Sequence, residues 1–207
     1  MKPYVVNQGD HLVNIAFRLG IDADETWNHP RNAELRARRH PNILAPGDIL
    51  FIPTSSRQSL PFIQGAKNRY TASIPCTTLR ITFQTAGKAI SDEPFEVEGL
   101  GRPFSGKSDG AGLVNIEVPA HVQQIDIHFT RLELVFPVLI GHMDPVDELS
   151  GVRKRLEQLG YYQGFEHIEA DIRDRLAIES FQRKCGIEAT GTLDDATKTA
   201  LVEAYGS

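Results

Sequence analysis

The period of the apolar residues changes twice along this chain, and that change limits its fold more than any other feature. From Leu79 to Ile140 the repeat is two: Leu79, Ile81 and Phe83 alternate with Arg80 and Thr82, Phe95 and Val97 flank Glu96, and Val114, Ile116, Val118 and then Ile125, Ile127, Phe129 continue it. Such alternation describes strands with one buried face. Glycine-bearing stretches, Ala86-Gly87-Lys88 and Ser108-Asp109-Gly110-Ala111-Gly112, supply the turns, and the apolar run Leu132 to Ile140 reads as a last strand. On both sides the period lengthens to that of a helix. The chain is therefore expected to be multidomain α+β, with a small antiparallel β-sandwich between two helix-bearing segments.

The first segment reads βααβ. Tyr4 to Val6 favour a strand, Asp10 is placed to cap a helix bearing Leu12, Ile15, Ala16 and Leu19, and Gly20 ends it. A second helical stretch falls between Asp24 and Arg39, with Pro30 at its start or breaking it; Pro46-Gly47-Asp48 turns into a closing strand, Ile49 to Pro53. The third segment carries Leu149, Val152, Leu156 and Leu159 on one helix closed by Gly160. Ile172, Leu176 and Phe181 lie on a second that ends at Lys184 and Gly186, and Thr192 with Asp195 forms a capping-box spacing before a third. Thr54 to Asn68 and His142 to Pro145 look like seams. The expected division is residues 1–54, a linker 55–70, a β-sandwich 71–141 and a three-helix domain 142–207.

Composition removes several function classes. A formal net charge of −5 argues against general binding of nucleic acid or anionic membrane. No run approaches the roughly 18 apolar residues of a membrane span, and the first residues have no apolar secretory core, so cytoplasmic synthesis is expected. Cys76 and Cys185 are either two free thiols or one bridge. The seven histidines are scattered, with no HExxH helix and no histidine beside a cysteine, so neither metal nor cofactor is expected. Ser108 lacks a nucleophile-elbow context, and Gly99 to Gly112 lacks a phosphate loop. The acidic groups Asp22, Asp24, Glu25 and Asp144, Asp147, Glu148 read as helix entries, and no catalytic residue is assigned.

Tyr4, Val6, Gly9, Asp10, Leu12, Ile15, Ala16 and Gly20, followed by Asn42, Leu44, Pro46, Gly47, Asp48, Leu50, Ile52 and Pro53, resemble a LysM domain. The resemblance implies a glycan groove between the loop after the first strand and the loop before the last, lined by Gly9, Asp10, His11, Ile43 and Leu44. In place of the family's second helix stands TWNHPRNAELRARRHPN. Its Trp27 suits either a core position or a sugar-stacking platform, and its Arg31, Arg36, Arg38 and Arg39 suit either a solvated helix face or an acidic partner. Val152, Leu156, Leu159-Gly160-Tyr161-Tyr162-Gln163-Gly164, Ile178, Phe181-Gln182, Gly186-Ile187, Thr190-Gly191, Thr197 and Leu201 resemble the three-helix peptidoglycan-binding domain of cell-wall hydrolases. There Tyr161 and Tyr162 are the candidate ligand contacts.

The middle segment is weakly similar to carboxypeptidase-regulatory and immunoglobulin-like sandwiches. The order of the three segments resembles proteins associated with type VI secretion and related contractile injection systems. That resemblance implies a non-catalytic accessory or adaptor that binds an effector or spike component. A delivered peptidoglycan-binding module is the alternative and a wall hydrolase a remote third. Export by the contractile apparatus would reconcile wall-binding modules with cytoplasmic synthesis.

Overall fold

The computed structural model describes residues 1–54, 61–70, 73–85, 87–162 and 168–205. Residues 55–60 of the expected linker, 71 and 72 at the expected start of the sandwich, Ala86 of one expected turn, and the 163–167 part of the loop after the first C-terminal helix lie outside them. The chain is mixed α+β and divides into two compact units, Met1–His142 and Met143–Ser207. The first is rich in strands and the second helical.

In the first unit, β1 (Lys2–Val5) pairs antiparallel with β2 (Ile49–Ile52), and three short helices lie between them in sequence: α1 (Leu12–Leu19), α2 (Ala23–Asn28) and α3 (Ala33–Arg38). Val6, Leu12, Ile15, Leu35, Leu44, Leu50 and Ile52 form their common core, with Trp27 half-buried against it. Gly20 ends α1 in the left-handed conformation, φ 64°, which costs glycine little. Asp10 does not cap α1. His11 occupies the cap position without a side-chain bond, because the Asp10 carboxylate accepts instead from the Asn7 N–H at 2.9 Å, the Tyr4 hydroxyl at 2.7 Å and Arg18 at 2.9 Å. Pro30 opens a single 3-10 turn, Pro30–Asn32, and so splits the second helical stretch into α2 and α3. Asn32 at the end of that turn is fully buried. Its amide donates to the carbonyls of Thr26 and Phe51 and accepts from the Phe51 N–H, stitching the helices to β2.

Two antiparallel sheets share the other core of this unit. One has the order β10 (Leu134–Leu139), β9 (Gln124–Phe129), β6 (Pro94–Glu98), β7 (Phe104–Lys107); the other pairs β3 (Cys76–Thr82) with β8 (Leu113–Pro119), and a small hairpin joins β4 (Gln84–Thr85) to β5 (Lys88–Ala89). The inward residues of the alternating runs, among them Phe95, Val97, Val114, Ile116, Ile125, Ile127 and Phe129, fill the space between. Strand β10 is an edge. Leu134 pairs with Phe129, and beyond the strand the Ile140 N–H continues the ladder to the Gln123 carbonyl. Even-numbered residues therefore bond to β9, while Val135, Pro137 and Leu139 turn their backbone outward. Proline at the centre of the free edge removes the donor that an added strand would need.

The second unit contains α4 (Leu149–Gln158), α5 (Ala170–Cys185) and α6 (Asp195–Tyr205) around Val152, Leu156, Ala177, Ile178, Phe181 and Leu201. Its periodicity differs from expectation at particular places. Leu149 and Ile172 are exposed, and Leu176 is only half-buried. The large interior position of α4 is taken by Arg155, 1% exposed, which donates to the carbonyls of Asp144 and Gly151 and lies over the Tyr205 ring. The cap of α6 is Asp194 rather than Thr192: its carboxylate accepts from the Thr197 N–H at 2.7 Å and the Thr197 hydroxyl at 2.6 Å. Thr192 instead shares a hydroxyl contact with Thr190. No helix among the described residues is long and apolar enough to cross a membrane.

Candidate functional site

Of the five residues expected to line a groove in the first unit, the chain itself closes over three. Asp10, His11 and Leu44 are buried, at 4%, 3% and 3% exposure, while Gly9 and Ile43 are half-buried. Asp10 spends its carboxylate on the turn just described. Burial pushes its pKa up, but the bonds from Asn7, Tyr4 and Arg18 prevail and hold it below the usual carboxylate range. His11 lies beneath the segment that follows β10. A Cβ on Gly141 would stand 2.5 Å from the Gly9 carbonyl and 3.2 Å from the His11 ring, and a Cβ on Gly9 would stand 3.0 Å from His142. Burial lowers the His11 pKa against the opposing charge of Asp10, and its Nδ1 has no hydrogen-bond partner. From the same helix, Asn14 donates to the Ala120 carbonyl at 2.8 Å.

The neighbouring basic run is largely structural. Arg39 is buried and paired with Asp48 at 2.8 Å, Arg36 donates to the Trp27 carbonyl, and Arg31 stacks over Phe51 and donates to the Met1 carbonyl. Asp22 caps α2 through the Glu25 N–H. An open, shallow depression beside α1 is bordered by Phe17, Leu19, Ile21, Asp22 and Pro75. Cys76 and Cys185 are exposed free thiols. No group of histidine, cysteine and carboxylate side chains among the described residues is arranged to hold a metal ion.

In the helical unit, Tyr161 and Tyr162 follow α4 and are both half-buried against the core. Tyr161 meets Phe181 edge-on, ring centroids 5.4 Å apart at 88°. Tyr162 belongs to a polar cluster at the surface. Its hydroxyl donates to Asp174 Oδ1 at 2.6 Å, Arg153 donates through Nε (2.9 Å) and Nη2 to Asp174 Oδ2, and the Arg173 guanidinium lies over the Tyr162 ring at 5.7 Å. Burial, followed by the bond to Asp174, pushes the Tyr162 phenol well above its ordinary pKa. Asp174 is lowered: the bonds from Arg153 and Tyr162 outweigh burial. Behind this surface, the fully buried Gln182 secures the loop before α6. Its amide donates to the Thr190 hydroxyl, the Thr192 carbonyl and the Thr197 hydroxyl, and its carbonyl accepts from the Gly191 N–H at 2.8 Å. The Phe181-Gln182 and Thr190-Gly191 motifs of the sequence are therefore one hydrogen-bonded unit.

Arg153, Arg173 and Asp174 were not singled out by sequence. They come from two helices, and no local spacing joins them. Gln182 had a visible signal: an amide beside Phe181 on the inner face of a helix.

Residues 146–201 match the family described as "Putative peptidoglycan binding domain". The matched span takes in α4 and α5 whole and α6 as far as Leu201, and includes the Tyr162 cluster and Gln182. It does not extend to residues 1–54. No curated protein and no solved structure matches the chain.

Proposed function

We propose that this protein is a non-catalytic recognition protein whose contact with the bacterial cell wall is made by its helical unit. The observation that carries this reading is that the peptidoglycan-binding match spans a unit whose characteristic residues are all engaged: Gln182 holds the Thr190–Thr192 loop, Asp194 caps α6, and Tyr162 remains at the surface among charged groups. In the first unit, Asp10, His11 and Leu44 serve the interior, so its LysM-like segment acts as a structural base more than as an open glycan groove. The test is co-sedimentation of the purified chain with insoluble sacculi, followed by analysis of the supernatant. Saturable retention without release of muropeptides supports the proposal. No retention sinks it, and muropeptide release overturns the non-catalytic part.

A second reading adds a protein partner. On β10 the outward residues Val135, Pro137 and Leu139 are exposed, as are Val5 and Ile49, paired across β1 and β2. Apolar residues outside both cores favour protein contact. In this reading the chain is an accessory of a contractile secretion system, made in the cytoplasm, which joins an effector or spike component to the wall-binding unit. Pull-down with candidate effector and spike proteins from the same genome tests it, and absence of any direct binary interaction removes it.

A further inference from the structure

The cluster on the helical unit is charged in an unbalanced way. Asp174 has both oxygens committed, Oδ1 to the Tyr162 hydroxyl and Oδ2 to Arg153. Arg153 spends two of its donor atoms on that pair. Arg173 makes no side-chain hydrogen bond and no ion pair among the described residues, and its Nε is buried without a partner. Arg173 is half-buried and only its Nε is closed off, so its two Nη groups are the donors that a ligand can reach. Its Cζ lies 5.7 Å from the Tyr162 ring centroid, a cation–π contact that restrains the fork before any ligand arrives. Arg173 also acts electrostatically on Asp174, but the Asp174 oxygens are taken by Arg153 and Tyr162 and no hydrogen bond joins it to Arg173 among the described residues.

The aromatic rings are less available than the charge. Tyr161 is packed edge-on against Phe181, Arg173 covers one face of Tyr162, and the Tyr162 hydroxyl is engaged. A planar guanidinium with no ion pair among the described residues selects a carboxylate, which it grips through two parallel N–H groups. Peptidoglycan offers carboxylates on its stem peptides, whereas its glycan strands present mainly hydroxyl and acetamido groups. Resting on the peptidoglycan reading above, we propose that the Tyr162–Arg173 surface recognises a carboxylate of the stem peptide, with Arg173 as the contacting residue, Arg153 and Asp174 as its positioning residues and Tyr162 as the ring that orients it.

The experiment uses the full chain and co-sedimentation with sacculi, for the parent protein, Arg173→Gln and Arg173→Lys, with far-UV thermal unfolding of each. Competitors are the soluble stem tetrapeptide, the same peptide with its carboxylates amidated, and N-acetylglucosamine oligomers, which carry no carboxylate. The expected result is about a tenfold or greater loss of sacculus affinity in Arg173→Gln, partial recovery in Arg173→Lys, and competition by the free-acid peptide only. Unchanged retention of Arg173→Gln overturns the inference and leaves the wall-binding reading standing. Equal competition by the N-acetylglucosamine oligomers does the same. If Arg173→Gln unfolds, the peptide competition against the parent chain still decides. Failure of the parent chain to bind any sacculus removes the underlying reading, and this inference with it.

Discussion

Replacing Gln182 by leucine removes one amide and breaks the helical unit's most connected polar group. Leucine fills nearly the same volume, so little cavity is created and the cost is one of hydrogen bonds. The four bonds have unequal partners. Thr190 and Thr192 are exposed and can turn to water, while Gly191 and Thr197 are buried. The Gly191 N–H is left with no acceptor, and an unsatisfied buried group costs about 1–3 kcal/mol. Thr197 Oγ1 keeps its bond to Asp194, so its loss is smaller, about 0.5–1.5 kcal/mol. The sum is about 3 kcal/mol. For a unit of this size each kcal/mol moves Tm by about 4–8 °C, so the helical transition falls by roughly 10–25 °C. The assay is thermal unfolding followed at 222 nm, with exchange of the Gly191 amide measured by NMR. A change below about 0.5 kcal/mol, or a Gly191 amide equally protected in both proteins, would refute the reasoning.

Three further outcomes test the first unit. Gly141→Ala places a Cβ 2.5 Å from the Gly9 carbonyl at φ 76° and destabilises by at least about 2 kcal/mol in urea unfolding followed by Trp27 fluorescence; an unchanged midpoint contradicts the close approach. Burial disfavours the charged form of His11 and so depresses its pKa in the folded unit, against the opposing charge of Asp10. The unfolded chain takes up the proton first, and stability falls as pH drops below about 6.5. His11→Gln flattens that slope, and identical slopes for the two proteins would discount His11. Pro137→Val restores an N–H to the free edge of β10 and increases self-association in sedimentation velocity, which an unchanged monomer fraction would contradict.

How much was legible in the sequence depended on whether a residue's role is local. The alternation from Leu79 to Phe129 gave the strands because a period of two reports one buried face directly, and Gly20 and Gly186 marked helix ends because only their backbone conformation is at stake. Caps were harder. Asp10 and Thr192 stood at plausible spacings, but Asp10 found closer partners in Asn7, Tyr4 and Arg18, and Asp194 bonded Thr197 better than Thr192 could. Arg155 has a charged type that argues for the surface, and its interior place rests on two backbone carbonyls and a ring that no pattern brings together. Of the expected groove residues, Asp10, His11 and Leu44 are buried. Gly9 and His11 are covered by Gly141 and His142, about 130 residues further along the chain.

The central claim is that wall recognition belongs to the helical unit. It is tested most directly by titrating isotopically labelled full-length protein with soluble muropeptides and mapping the amide shifts. The account predicts shifts concentrated between 146 and 201, centred on Tyr162, Arg173 and Asp174. Shifts confined to the Gly9–Leu44 region of the first unit, or none at saturating muropeptide, would contradict it.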